Sequence, residues 1–355
     1  MRILKRNYEQ AIGRIRQIRS LVRRELKSRV GRAVPLRRRM QMLLSGFLSE
    51  SYVLYDFERN DPSLYLSDMS RFARTFWINR SPHLLDDKFA FAVMLESLGY
   101  PTAPIRALAG RGQIMSSDTG RRLDATSCME LVQRHDALVI KPRFGGGGGR
   151  IRFVRVDGPG LLVNDQPTNL SDFVTMLKQS QHIVTDVIHQ HAYAARVHAR
   201  STNTIRVLTM IDVENGTPFI AAAVHRFGTS ASFPVDNWSK GGISAAVDLA
   251  TGTLGPGVTF PMRYPRRIHA CHPESGVQIV GTVIPHWPSI CAGVLGIAGR
   301  LPPDTPYVGW DVIVTRDGFV VLEGNRYSDV NLLQVHGPLL ADPRVRAFYR
   351  HYGAA

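Results

Sequence analysis

Two stretches of this 355-residue chain combine residue types and spacings that chemistry can use. In the first, Val139-Ile140-Lys141-Pro142-Arg143-Phe144 runs directly into Gly145, Gly146, Gly147, Gly148 and Gly149, followed by Arg150. A strand delivers one lysine at its end, and a glycine tract follows at once. Adjacent glycines weaken a packed core, because each loses much backbone freedom on folding. They suit a loop whose N–H groups must come close to phosphate oxygens. Lys141 would act there as a compact point charge. In a P-loop the lysine follows the glycines and opens a helix, so the reversed order here excludes that motif and also the dinucleotide fingerprint. Taken alone, the segment could equally be a pliable hairpin tip beside a lysine.

The second stretch is Gly309-Trp310-Asp311-Val312-Ile313-Val314-Thr315, a turn at Arg316-Asp317-Gly318, then Phe319-Val320-Val321-Leu322-Glu323-Gly324-Asn325. Two strands joined by a short Asp-Gly turn pair antiparallel. Asp311 and Glu323 then come side by side, and Asn325 extends past the strand end to the same place. Two carboxylates and an amide are hard oxygen donors of the kind that hold Mg²⁺ beside substrate phosphates. The apolar run Phe319–Leu322 makes this a core hairpin, where an unpaired glutamate is costly.

The elements that must position these residues follow from local pattern. Lys88–Leu98 predicts a helix closed by Gly99 and stopped by Pro101 and Pro104. β-Branched runs predict strands at 137–141, 150–156, 183–188, 205–213, 218–226, 243–249, 310–315 and 319–323. Helices are expected at 127–135, 171–179, parts of 274–298, where Pro285 and Pro288 should interrupt, and 342–352. Hairpin-like connections among mixed elements argue α+β with largely antiparallel sheets.

Composition narrows the classes. The net charge of +15 is concentrated in residues 1–40, which hold fourteen Lys/Arg and two Glu. That is not the signature of a basic catalytic body. A nucleic-acid surface would interleave aromatics with the cations, and residues 1–40 contain only Tyr8, so nucleic acid ranks low as a partner. Residues 3–30 predict one amphipathic helix with Leu4, Tyr8, Ile12, Ile15, Ile18, Val22 and Leu26 on its apolar stripe, ended by Gly31 and Pro35. Such a helix could lie on an anionic membrane surface, dock on the body or form a coiled coil. A second helical stretch is expected from Leu36 to about Tyr55. No apolar run reaches the ~18–20 residues that span a bilayer, and the start does not read as a secretory signal. Cys128, Cys271 and Cys291 are far apart and odd in number, which fits a reducing cytoplasm. No Gly-x-Ser-x-Gly or His-Glu-x-x-His motif is present; His269, Cys271 and His272 read as an ordinary turn.

Lysine, lysine-proline-glycines, aspartate and Glu-x-Asn, in that order, resemble the ATP-grasp superfamily, and more closely its sugar-transfer-associated family. Asp87-Lys88-Phe89, Ser201-Thr202-Asn203-Thr204-Ile205-Arg206 and Asp236-Asn237-Trp238-Ser239-Lys240-Gly241-Gly242 support the resemblance, which covers roughly Asp86 to Tyr352. It implies an ATP-grasp fold, two α+β lobes with antiparallel sheets clamping ATP, preceded by a helical basic N-terminal region. The implied organisation is a basic amphipathic arm at 1–45, a helical region at 46–85, a first lobe with the glycine loop at 86–185 and a second lobe with the metal site at 186–355. Lys88 and Lys141 would contact the phosphates of ATP, Gly145 to Gly149 would form a lid, and Thr185, Asp186, Val187 and Ile188 would line the adenine pocket. Arg206, Arg226 and Lys240 would act on the substrate side, and Asp311, Glu323 and Asn325 would hold Mg²⁺, with two ions expected. The implied activity is a carboxylate–amine ligase working through an acyl phosphate on a small-molecule or lipid-linked acid, for example attaching an amino acid to a cell-envelope saccharide or its precursor, in the cytoplasm and peripheral to the inner membrane. The rival readings are a kinase on the same scaffold and a non-catalytic membrane- or polymer-binding protein. One departure is evident: residues 1–85 lack the alternating strands of the small α/β domain with which most ATP-grasp enzymes begin.

Overall fold

Short β-branched runs bounded by turn residues become strands in the computed structural model, which describes residues 18–81, 83–145, 150–158, 160–261 and 267–355. The first part of the basic helix and the lid glycines Gly146 to Gly149 lie outside these. The strands form two seven-stranded sheets with every pairing antiparallel. The first sheet contains β1 (Ile105–Gly110), β2 (Gln113–Ser116), β3 (Ala137–Pro142), β4 (Arg152–Asp157), β5 (Gly160–Val163), β6 (Gln166–Thr168) and β7 (His182–Asp186), in the order β2-β1-β7-β3-β4-β5-β6. The second contains β8 (Ile205–Ile211), β9 (Pro218–Phe227), β10 (Ile243–Val247), β11 (Leu254–Thr259), β12 (Ile268–His269), β13 (Tyr307–Thr315) and β14 (Gly318–Asn325), in the order β12-β11-β10-β9-β8-β13-β14.

In the first sheet the two-residue period of β3 separates core from site. Leu138 and Ile140 are fully buried in a cluster with Cys128 and Val132 of helix Ala125–Arg134 and Phe173 and Leu177 of helix Leu170–Gln179. Val139 and Lys141 face a cavity on the other side. The second sheet is covered on both faces. Ile205 and Val207 pack with Ile290, Val294 and Ile297 of helix Trp287–Ala298, while Leu208 and Met210 pack with Tyr55, Tyr65 and Leu66 of the N-terminal region and with Phe348 and Tyr349 near the C-terminus.

The N-terminal region departs from expectation in its joints. The helix at 18–27 stops at Ser28, whose Oγ accepts from Gly31 N at 3.0 Å and caps a new short helix, Arg29–Ala33. Gly31 therefore lies inside a helix rather than ending one. An added Cβ there would meet Ser49 Cβ at 3.2 Å and Glu50 N at 3.3 Å, so close passage is what requires glycine. The expected second helix is Leu36–Leu44, interrupted at Gly46, whose φ of 78° favours glycine, before Ser51–Leu54. Pro288 does not interrupt a helix; it occupies the first turn of Trp287–Ala298, where its missing N–H is harmless. Pattern reading also passed over β1, β2, β5, β6, β11 and β12.

Residues 46–81 are tied into the body. Tyr55 OH donates to Asn331 Oδ1 at 2.5 Å, Leu66 N to Gln334 Oε1 at 2.7 Å, and Asn79 Nδ2 to the Tyr307 carbonyl at 2.6 Å. No helix among the described residues is long and apolar enough to cross a membrane.

Candidate active site

Four neighbouring strands of the second sheet present a row of charge. Asp311 on β13 is register partner to Arg206 on β8 and to Glu323 on β14, and Arg226 lies on β9 beyond them. Arg206 grips Asp311 with Nε on Oδ1 at 2.6 Å and Nη2 on Oδ2 at 3.2 Å, while Arg226 Nη2 is 3.2 Å from the same Oδ2. Burial alone would raise the Asp311 carboxyl, but the two guanidinium groups outweigh it and hold it well below the usual carboxylate range. Arg226 also donates to Thr204 Oγ1 and lies 3.4 Å from Asp236 Oδ2. Burial pushes the Asp236 carboxyl up despite Arg226 and the bonds from Thr204.

The lysines arrive from separate elements. Lys88 opens helix Lys88–Ser97, whose N-cap Asp87 accepts from Phe89 N at 3.0 Å and Ala90 N at 3.4 Å. Asp87 also receives Arg143 Nε at 2.8 Å, and Lys88 N donates to the Arg143 carbonyl at 3.0 Å. The start of this helix is thereby fastened to the segment that enters the glycine tract. Lys88 Nζ donates to the Gly145 carbonyl and lies 3.3 Å from Glu323 Oε2. Lys141 is buried at the end of β3; burial pulls its amine down to about 8, Glu323 opposes that and Lys88 adds to it.

These groups meet in one cavity of ≈ 640 Å³ between the sheets. Lys88, Lys141, Gly145, Thr185, Asp186, Ile188, Arg206, Arg226, Asp311, Glu323 and Asn325 all line it, whereas Val187 and Lys240 are not among its lining residues. Asp186 is already engaged: Arg106 forks onto it at 2.8 and 2.6 Å, and His135 Nδ1 is 3.2 Å away. Thr185 Oγ1 is buried without a hydrogen-bond partner; Thr185 pairs with Val139 across β7 and β3, and Val139, Ile188 and Leu322 line the same cavity. Arg206 and Arg226, expected on the substrate side, line the cavity and bind Asp311, Asp236 and Thr204 through their Nε and Nη2 groups. Helix Lys88–Ser97, grouped with the first lobe by sequence, sets Phe91 and Leu95 into the core of the second sheet.

The donor set suits a hard cation. Asp311 and Glu323 are register partners on neighbouring strands, two carboxylates that one cation could share. Asn325 Nδ2 is anchored on the Gly309 carbonyl at 3.1 Å, which orients the amide and leaves its oxygen, with the second N–H, for other partners. A few carboxylates in a cavity also lined by lysines is the arrangement that Mg²⁺ favours.

Sequence reasoning missed another wall. Tyr327 and Asp329 line the cavity immediately after Asn325, and Asp329 is held at 2.6 Å by Arg71, a buried guanidinium from the N-terminal region. The adjacency of Arg326-Tyr327-Ser328-Asp329 to Glu323-Gly324-Asn325 was a usable signal; Arg71, 258 positions away from Asp329, gave none.

A family model described as sugar-transfer associated ATP-grasp matches residues 68–348. No curated protein matches the sequence. Among solved structures, the ATP-grasp ligase PsnB complexed with a phosphomimetic variant of its minimal precursor, Mg and ADP has a TM-score of 0.39 at 12% identity, covering 77% of this chain and 61% of that one. A RimK domain ATP-grasp protein from Sphaerobacter thermophilus gives 0.38 at 13%, covering 73% and 67%. N5-carboxyaminoimidazole synthetase from Staphylococcus aureus complexed with ADP gives 0.39 at 10%, covering 74% and 51%. The chain thus spans less than two thirds of the length of the first of these.

Proposed function

The chain belongs to the sugar-transfer-associated ATP-grasp family, and from that premise we propose that it is an ATP-dependent carboxylate–amine ligase working through an acyl phosphate. One observation carries the reading: Lys88 and Lys141, from different elements, meet the Asp311–Glu323 pair in a single cavity. That is a cationic grip for phosphates beside a donor set for Mg²⁺. Val139, Ile188 and Leu322 offer an apolar wall for a purine, with Thr185, whose Oγ1 is an unsatisfied hydrogen-bonding group, lining the same cavity. Lys88, tied to the Gly145 carbonyl, would draw the glycine segment over the phosphates.

Asp311, Glu323 and Asn325 would hold Mg²⁺, which when bound neutralises phosphate charge and orients the terminal phosphoryl group. Arg206 and Arg226 keep Asp311 ionised and fixed in place. In the reaction an oxygen of the substrate carboxylate attacks the γ-phosphorus, ADP leaves, and an amine then displaces phosphate from the acyl carbon. Lys141 and Lys88 stabilise the charge that gathers on the phosphoryl oxygens, and no protein nucleophile takes part. The family association suggests a cell-envelope saccharide or its precursor as the acid and an amino acid as the amine.

The test is incubation with ATP, Mg²⁺, candidate acids and hydroxylamine. Hydroxamate with stoichiometric ADP is the expected result. A stable phosphorylated product that hydroxylamine does not intercept would replace the ligase reading with a kinase.

A further inference from the structure

Of the fifteen exposed large apolar side chains among the described residues, seven fall between residues 18 and 44, the densest such concentration among those residues. Their exposure is built in. On the helix at 18–27, Leu21 is buried, Arg24 Nε binds Glu50 at 2.6 Å, and the Glu25 carboxylate accepts from Ser49 N at 2.9 Å and Ser49 Oγ at 2.6 Å. These contacts set the rotation of the helix. Ile18, Val22 and Leu26, at i, i+4 and i+8, form a separate stripe that is left in solvent. Leu36–Leu44 repeats the arrangement: Met42 is buried, Arg39 reaches Glu25 at 3.3 Å, and Leu36, Met40, Leu43 and Leu44 form an exposed stripe, with Leu44 86% accessible.

The surroundings are cationic. Residues 18–44 contain nine Lys/Arg and one Glu, and Arg19, Arg23, Lys27, Arg29, Arg37 and Arg38 are exposed. Aliphatic stripes bordered by arginines match a surface whose outer layer is anionic and whose inner layer is hydrocarbon. A nucleic acid would call for stacking aromatics, and none occurs among these seven side chains.

We propose that the helices at 18–27 and Leu36–Leu44 form a peripheral docking face for an anionic lipid surface. Ile18, Val22, Leu26, Met40 and Leu44 would enter the acyl boundary while the flanking arginines meet the headgroups. This docking is independent of the ligase reading.

The full chain is tested by co-sedimentation with phosphatidylcholine vesicles, with and without about one third phosphatidylglycerol. Binding to the anionic vesicles alone is expected, weakened roughly tenfold or more in a Met40→Asp, Leu44→Asp variant whose melting temperature is unchanged. A Leu44→Trp variant should show a blue-shifted emission on the same vesicles. Failure to sediment, or equal retention of the Asp variant, would overturn the proposal. So would tight binding to single-stranded RNA that survives the Asp substitutions in the absence of vesicle binding.

Discussion

Lys141 carries a conflict between stability and use. Burial holds its amine at about 8, below its ordinary 10.5, because a cation is poorly solvated at the end of β3. Between those values the unfolded chain binds the proton that the folded chain releases, so this residue's contribution to stability rises as pH climbs from about 8 to 10.5. Lys141→Met should raise stability at pH 7 by about 1–3 kcal/mol, read by denaturant titration, while ADP formation falls roughly 100-fold or more. In the native protein kcat/KM for ATP should decline above about pH 8 as the amine loses its proton. Arg206 behaves oppositely. It supplies two of the three guanidinium contacts to buried Asp311, so Arg206→Gln should cost about 3–5 kcal/mol by leaving an under-compensated charge. A double-mutant cycle with Asp311→Asn should recover most of that loss; independent, additive losses would show that the pair is not coupled.

Among the elements, the seam between helix Lys88–Ser97 and β14 decides whether the two halves of the phosphate site meet. Gly324 lies between Glu323 and Asn325, and an added Cβ would stand 2.9 Å from both Leu85 Cδ2 and Phe91 Cε2. Gly324→Ala should therefore push the helix off the strand, costing about 1–3 kcal/mol in a thermal melt. It should also raise KM for ATP several-fold, because Lys88 would leave its 3.3 Å station at Glu323. An unchanged KM together with a lowered melting temperature would mean that the helix tolerates the shift without moving its first residue. The same helix is fastened to Arg143 through Asp87, so its N-terminus couples the second sheet to the glycine segment leaving the first.

At the scale of the molecule, the N-terminal region is built into the body. It closes one face of the second sheet and sends Arg71 behind Asp329 at the cavity wall. The other side of that sheet holds a histidine with a consequence for pH. His225 is fully buried, accepts from Tyr193 OH at 2.7 Å and stacks on Phe227 at 4.1 Å. Burial pulls it down to about 3. Below pH 6.5 the unfolded chain takes up a proton that the folded chain refuses, so stability is lost as pH falls from 6.5 toward 3. Melting temperature should drop over that range, and His225→Gln should flatten the slope; an identical slope in the variant would assign the acid sensitivity to other groups.

Several of the residues that line the cavity were legible along the chain because local order marks them. Lys141 ends a β-branched run, and a two-residue period decides which face it takes; the short turn pairs β13 with β14 as far as Val312–Val321, and a bulge beside Asp311, which only the folded sheet reveals, brings Glu323 rather than Leu322 opposite it. The strands β3, β4 and β7 to β10 also announced themselves by local composition. What tertiary structure alone decided are the pairings between residues far apart. The Arg206 and Arg226 donors close on Asp311 and Asp236, Asp186 is taken by Arg106, and Arg71 stands behind Asp329, because burial obliges each charge to find whichever opposite charge the fold delivers. The stripe at Ile18, Val22 and Leu26 teaches the same lesson in reverse. Its periodicity was readable, but whether it turned inward depended on Leu21, Arg24 and Glu25 finding partners around Ser49 and Glu50, and those partners claimed the other face.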